Sequence, residues 1–266
     1  MVRYSVLASG STGNAILIQT DTTSILVDAG LSGKQIEKAM HEIGVSADCL
    51  DGIVITHEHQ DHVKGAGILS RRYKIPVFCN QKTWDGMEHI VGEIKTGYQE
   101  IFCTGDRMEI GNLALESFAI SHDAKDPVGY CVFAGNTKIS VATDMGYVNA
   151  KMKQRIIDSD ALIIEANHDV EMLRIGPYPW HLKQRILSDH GHLSNETAAE
   201  ILTEVITANT QCVHLAHLSA ENNMPVLAHM TVKTILEQEQ FKVGQEFDLE
   251  ITYPDKPTKL RSVRRR

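Results

Sequence analysis

Cysteine is scarce in this sequence and shows no pairing pattern. The five residues Cys49, Cys79, Cys103, Cys131 and Cys212 are odd in number, and no two stand in a CxxC spacing. That pattern argues against a disulfide framework and against a cysteine-built zinc site. Most of the five lie in apolar stretches, where a thiol reads as a small buried hydrophobe. Also lacking is any apolar run long enough to cross a bilayer. The N-terminal MVRYSVLASGSTGN has neither a long apolar core nor a cleavage site. No membrane span or signal peptide is therefore expected, and the expected location is cytoplasmic. Positive charge is in deficit, with 26 Lys and Arg against 34 Asp and Glu and a net charge of −8. An acidic total argues against indiscriminate nucleic-acid binding through a broad positive field, and leaves room for a local basic groove.

What is present is an ordinary globular composition, 42% hydrophobic and 23% charged, over 266 residues. That length suits one α/β unit, read as a single domain over 1–254 followed by a basic tail over 255–266. The tail carries Lys256, Lys259, Arg261, Arg264, Arg265 and Arg266. It suits either the neutralisation of phosphates without sequence readout or a solvated chain end.

Val2–Leu7 reads as a strand, Ser9–Gly13 as a Gly/Ser turn, and Ala15–Gln19 with Ser24–Val27 as a hairpin. Ser32 and Gln35 have capping-box spacing ahead of the helical series Ile36, Ala39, Met40 and Ile43, which Gly44 stops. Ile53–Ile55 is a short apolar run expected as a buried strand. A helix is expected over Ala66–Tyr73, and strands over Val77–Cys79, Leu113–Ile120, Tyr130–Ala134, Lys138–Thr143, Leu162–Glu165, Cys212–Ala216 and Phe247–Thr252. Asn195–Ile206 has helical spacing. Two series of strands with helices between them predict two sheets packed face to face with helices outside.

The unusual count is histidine, thirteen in all. Thr56-His57-Glu58-His59-Gln60-Asp61-His62 follows the Ile53–Ile55 run and contains H-x-H-x-D-H. Imidazoles and carboxylates crowded in this way are metal-ligand chemistry. His57 and His59 alternate at a strand end and face one side, while Asp61 and His62 lie in the turn beyond. This suits two neighbouring metal positions, which the loop alone cannot complete, since a zinc-sized ion takes about four ligands. His122, Asp144 and His217 each follow an expected strand and are the candidates to complete them. His41, His89, His214 and His229 lack any such pattern and read as structural or solvent-facing.

These residues resemble the metallo-β-lactamase superfamily. The fuller set LASGSTGN, THEHQDH, SHDAKDPVGY, ATDMG, EANHD, GHLSN and AHLSAENN is similar to the WalJ/YycJ/VicX family, from Leu7 to about Pro225. The resemblance implies an αββα sandwich and a dinuclear site. His57, His59 and His122 would hold one metal and Asp61, His62 and His217 the other, with Asp144 bridging them. Zn²⁺, Mn²⁺ and Fe²⁺ all suit such ligands. It also implies a 5′-to-3′ exonuclease acting on DNA ends.

Two cations about 3.5–4 Å apart hold a water between them and lower its pKa toward neutrality, giving the hydroxide expected as nucleophile. Gly191-His192-Leu193-Ser194 is similar to a G-H-S/T turn of tRNase Z-type nucleases, whose histidine serves near the leaving group. Glu165 is the acid that would orient His192. Asp61, Glu165 and His192 are thus the candidate catalytic residues. Candidate substrate contacts are Ser9, Ser11 and Asn14 in the Gly-rich loop, which can offer backbone N–H groups to phosphate, and Asn167, His168 and Ser194. Two other readings stand beside this one: a metallo-hydrolase of the same fold acting on a thioester or lactone, and a metal-stabilised regulatory protein of a signalling pathway.

Overall fold

The computed structural model describes residues 1–265; Arg266 lies outside the described residues. In chain order the strands are β1 Val2–Ala8, β2 Ala15–Gln19, β3 Ser24–Val27, β4 Gly52–Val54, β5 Val77–Asn80, β6 Gln99–Phe102, β7 Arg107–Ile110, β8 Leu113–Ala119, β9 Val128–Ala134, β10 Thr137–Ala142, β11 Ala161–Glu165, β12 Cys212–Ala216, β13 Asp248–Ile251 and β14 Arg261–Val263. The helices are α1 Gly33–Glu42, α2 Gln60–Val63, α3 Ala66–Tyr73, α4 Gln81–Val91, α5 Ala150–Ile156, α6 Val170–Ile175, α7 Trp180–Ile186, α8 Asn195–Val205 and α9 Pro225–Gln238.

The strands form two seven-stranded sheets, ordered β14-β1-β2-β3-β4-β5-β6 and β13-β12-β11-β10-β9-β8-β7. Each mixes antiparallel and parallel pairs. β3 through β6 run parallel in the first sheet and β10 through β13 in the second. This is the α/β sandwich expected from the two strand series.

The alternation of side chains along a strand explains the layers. In β2, Ile16 and Ile18 enter the core between the sheets, while Leu17 faces the helices outside. In β11, Ile163 points inward between the sheets, and Leu162 and Ile164 pack on the outer helices. Strands buried on both faces must read as unbroken apolar runs, and these do. The α1 capping box forms as the sequence predicts, with the Gln35 N–H donating to Ser32 Oγ and the Ser32 N–H to Gln35 Oε1.

The segment read as a basic tail carries β14, which pairs antiparallel with β1. Arg261 is ion-paired with Asp248 and Glu250, and Arg265 with Asp158 and Asp160. The Lys256 ammonium lies 3.8 Å from the centre of the Tyr253 ring. The arginines of this segment that the structure pairs therefore spend their charge on the fold.

Candidate metal centre

The polar residues converge where strands of both sheets end. β4 gives way to Thr56 and His57, and α2 begins directly after His59, so Asp61 and His62 lie in its first turn. His122 follows β8, Asp144 follows β10, Glu165 closes β11 and His217 follows β12. Polar groups at the carboxyl ends of parallel strands occupy the usual crevice of such sheets. Asp144 and His217 sit at φ 61° and 56°. A left-handed backbone is uncommon outside glycine, and at functional sites it re-aims a side chain. Gly30 is required for close approach: a Cβ there would lie 1.7 Å from the Asp61 carbonyl oxygen.

Three ring nitrogens face one another: His57 Nε2 is 3.1 Å from His59 Nδ1, and His122 Nε2 is 3.3 Å from the same atom. Next to them, Asp61 Oδ2 lies 3.7 Å from His62 Nε2 and 3.8 Å from His217 Nε2. Asp144 stands between the two sets. Its Oδ2 is 3.4 Å from His62 Nε2, and its Oδ1 is 3.3 Å from His217 Nδ1 and 4.0 Å from His122 Nε2. All seven residues read as ligands in the sequence thus meet in one place, in groups whose potential ligand atoms lie within 4.8 Å of one another.

The residues fit a divalent cation. Asp144 Oδ2 and His217 Nε2 are buried and have no hydrogen-bond partner. Buried polar atoms are nearly always satisfied, so two left open within a nest of imidazoles and carboxylates are what a cation site requires. Charge agrees. Burial lowers His62, but the Asp28 and Asp144 carboxylates outweigh it and carry the ring up to about 9. His217 is raised well above its usual value in the same way, with burial opposing and Asp144 and Asp61 prevailing. His57 has burial and neighbouring imidazoles acting together and is held well below. The half of the site that carries the carboxylates favours positive charge, while His57 in the other half stays neutral with a lone pair to offer.

The far nitrogens of the rings are tied back to the protein, which fixes ring orientation. His57 Nδ1 lies 3.0 Å from Thr56 Oγ1, His62 Nδ1 lies 2.7 Å from Asp28 Oδ2, and His122 Nδ1 lies 3.3 Å from the Gly191 carbonyl. Asp28 was not singled out from the sequence. It follows β3 at φ 62°, and its carboxylate also accepts from the Thr56 N–H and hydroxyl. The available signal was its place after a buried strand, shared with Asp144 and Glu165.

Glu165 is fully buried, and one oxygen serves two rings: Oε1 is 2.7 Å from His192 Nδ1 and 3.0 Å from His217 Nδ1. Oε2 accepts from the Met145 and Leu193 N–H groups. Burial works to raise this carboxyl, but His192 and His217 overcome it and hold it well below the usual range.

Of the residues read as substrate contacts, Ser11 and Asn167 line a cleft beside His192 and His217. Ser9, Asn14, His168 and Ser194 are buried. Ser9 Oγ accepts from the His217 N–H, and Asn14 Nδ2 lies 3.1 Å from His62 Nε2. Ser194 caps α8, accepting from the Thr197 N–H. His168 is held down to about 4 by burial. A further group, Cys212, His214 and Glu250, lies on β12 and β13. Burial pushes the Cys212 thiol up to about 12, and Glu250 is engaged by Arg261, so this cluster reads as a hydrogen-bonded part of the core.

Fold and site together define a metallo-hydrolase of the β-lactamase superfamily, and a model described as the β-lactamase superfamily domain matches residues 23–215. Within that superfamily the chain belongs to the family of the YycJ and WalJ proteins. It is 48% identical over 262 residues to a Bacillus anthracis protein named exodeoxyribonuclease YycJ, covering 98% of this chain and 99% of that one. It is 44% identical over 263 residues to exodeoxyribonuclease WalJ of Streptococcus pneumoniae strain D39, covering 98% of both. The fold is shared with the metallo-β-lactamase fold protein YhfI from Bacillus subtilis, at a TM-score of 0.73 and 16% identity over 97% of this chain and 98% of that one. Human tRNase Z, short form, has a TM-score of 0.65 at 15% identity, over 98% of this chain and 100% of that one.

Proposed function

We propose that this protein is a dinuclear-metal exodeoxyribonuclease that shortens DNA from its 5′ end. The observation that carries the reading is the pair of adjacent ligand groups, His57/His59/His122 and Asp61/His62/His217, with Asp144 between them and the Glu165–His192 pair at their edge. Family membership supports DNA as substrate. Divalent Zn²⁺, Mn²⁺ or Fe²⁺ bound there supplies Lewis acidity and an activated water.

The chain's own groups then do the following. His57, His59 and His122 would hold one cation and Asp61, His62 and His217 the other, with Asp144 shared between them. Glu165 accepts from His192 Nδ1 and so leaves Nε2 as the atom that carries a proton to the departing oxygen. A phosphodiester's alkoxide needs that proton, which favours this substrate over a thioester.

The test is the purified protein with Mn²⁺ on DNA labelled at the 5′ or the 3′ end. Mononucleotides released first from the 5′ label are expected, and hydrolysis of a chromogenic thioester in preference to DNA would overturn the reading. His192→Ala is expected to lower turnover about 10²- to 10⁴-fold, the range for a positioned acid, with metal content by mass spectrometry unchanged. Loss of metal in that variant would make His192 a ligand instead.

A further inference from the structure

The cleft beside the metal centre is walled by α7 and the loop leading into it. Leu182, Arg185 and Ile186 have i, i+3, i+4 spacing, so one face of α7 runs along the cleft, and Tyr178 closes it from the preceding loop. His192 and His217 line the same cleft. The volume is about 180 Å³, small against the roughly 300–1,000 Å³ of ordinary ligand pockets. A cleft of this size is on the scale of a single small group rather than a long segment.

We propose that this cleft seats the 5′-terminal nucleotide, with Arg185 holding its phosphate and Tyr178 stacking on its base. The inference rests on the nuclease reading and names how that site recognises its end.

The Arg185 guanidinium is fixed on one edge, where Nε donates to Asp123 Oδ2 at 2.6 Å and Nη2 pairs with the same carboxylate. The Nη1 edge has no partner among the described residues, and the side chain is 56% exposed. A planar guanidinium held in place with one edge open is suited to phosphate. Among the described residues that line the cleft, Arg185 is the one arginine or lysine, and Asp123, the carboxylate beside it, holds it in place. Tyr178 is half-buried beside Leu182 and Ile186. A ring on an apolar wall stacks on any base, which gives grip without sequence preference.

The seat also accounts for direction. His192 lines the same cleft, so the oxygen it protonates belongs to the nucleotide held there. Water's oxygen forms the new bond to phosphorus and the P–O3′ bond breaks. Its electron pair stays on O3′, which takes the His192 proton, and the water's proton replaces it by way of solvent. The product is a nucleoside 5′-monophosphate. The shortened strand carries a fresh 5′-phosphate, the group Arg185 holds in the next round.

Two measurements test this, on the metal-loaded protein and on Arg185→Gln and Tyr178→Ala. The first is the ratio of initial rates on single-stranded DNA with a 5′-phosphate and with a 5′-hydroxyl. The second is the ratio of dissociation constants for thymidine 5′-monophosphate and thymidine 3′-monophosphate by calorimetry. The wild type is expected to favour the 5′-phosphate by about tenfold or more in both, as one charge-assisted contact allows. Arg185→Gln is expected to bring both ratios near one, and Tyr178→Ala to weaken binding of the 5′-monophosphate about tenfold. Ratios equal in wild type and Arg185→Gln would overturn the seat even if DNA is degraded. A preference of binding for the 5′-monophosphate that depends on Arg185, in a protein that degrades no DNA, would keep the seat and sink the nuclease reading.

Discussion

Asp28 shows how much one carboxylate decides at the scale of a residue. It holds His62 through Nδ1 and the following loop through Thr56. Asp28→Ala is expected to weaken divalent-metal affinity about 10- to 100-fold, as loss of such partners does, measured by chelator competition. Unchanged affinity would mean that packing alone orients the ring. His214 offers a separate test, in stability. It is buried, with Tyr4 Oη 2.9 Å from Nε2 and Cys212 Sγ 3.3 Å away, and Glu250 Oε2, Asp248 and Arg261 near it. Burial, with Arg261 adding to it, holds its pKa down to about 3. Between the usual value near 6.5 and about 3, the unfolded chain binds a proton that the folded chain refuses. Acid in that window therefore favours unfolding, by up to about 1.4 kcal/mol per pH unit for one such proton. His214→Gln is expected to flatten the fall in urea stability between pH 6 and pH 4, and an unchanged slope would exclude His214 as its source.

The candidate ligands were legible because their residue types are rare beside apolar runs, and they stood at or shortly after the ends of such runs. Asp28 was not, since Val27-Asp28-Ala29-Gly30 is equally the spelling of an ordinary turn. Ser9, Asn14, His168 and Ser194 do not line the cleft, while Asn167, equally buried, does; which buried loop residue reaches a cleft is a tertiary property that spacing does not encode.

Among the elements, Gly30 and the α1 cap carry the sharpest expectations. Gly30→Ala drives a methyl into the Asp61 carbonyl, so the α2 turn must move. Metal content is expected to fall along with stability, and a fully loaded variant would show that the loop yields. Ser32→Ala removes the capping hydroxyl and is expected to cost about 1 kcal/mol in denaturant melts without affecting metal content. The elements buried on both faces, β2, β3 and β11, were plain in the sequence. β6 was not, because its middle residues Glu100 and Ile101 are exposed and no apolar run marks it. α9 escaped because its buried residues, Ala228, Val232 and Leu236, form a thin stripe, although Pro225 at its first turn was an available start signal.

For the whole molecule, the last described segment is structural. Val263 is buried and pairs with Val2 across the edge of the first sheet. Deleting 257–266 is expected to remove at least the roughly 1.5–3 kcal/mol of one buried valine and to bare the β1 edge to self-association. Calorimetry and gel filtration would report both, and a variant as stable and monodisperse as the intact chain would contradict this.

The site itself is divided between the sheets. His57, His59, Asp61 and His62 come from the first, and His122, Asp144 and His217 from the second. During synthesis the earlier group leaves the ribosome well before His217 exists. The nascent chain therefore displays part of a claw whose remaining fingers are still unmade. On the proposed ligand assignment the full set would assemble only once β12 is translated and docked, so metal acquisition would come late in folding.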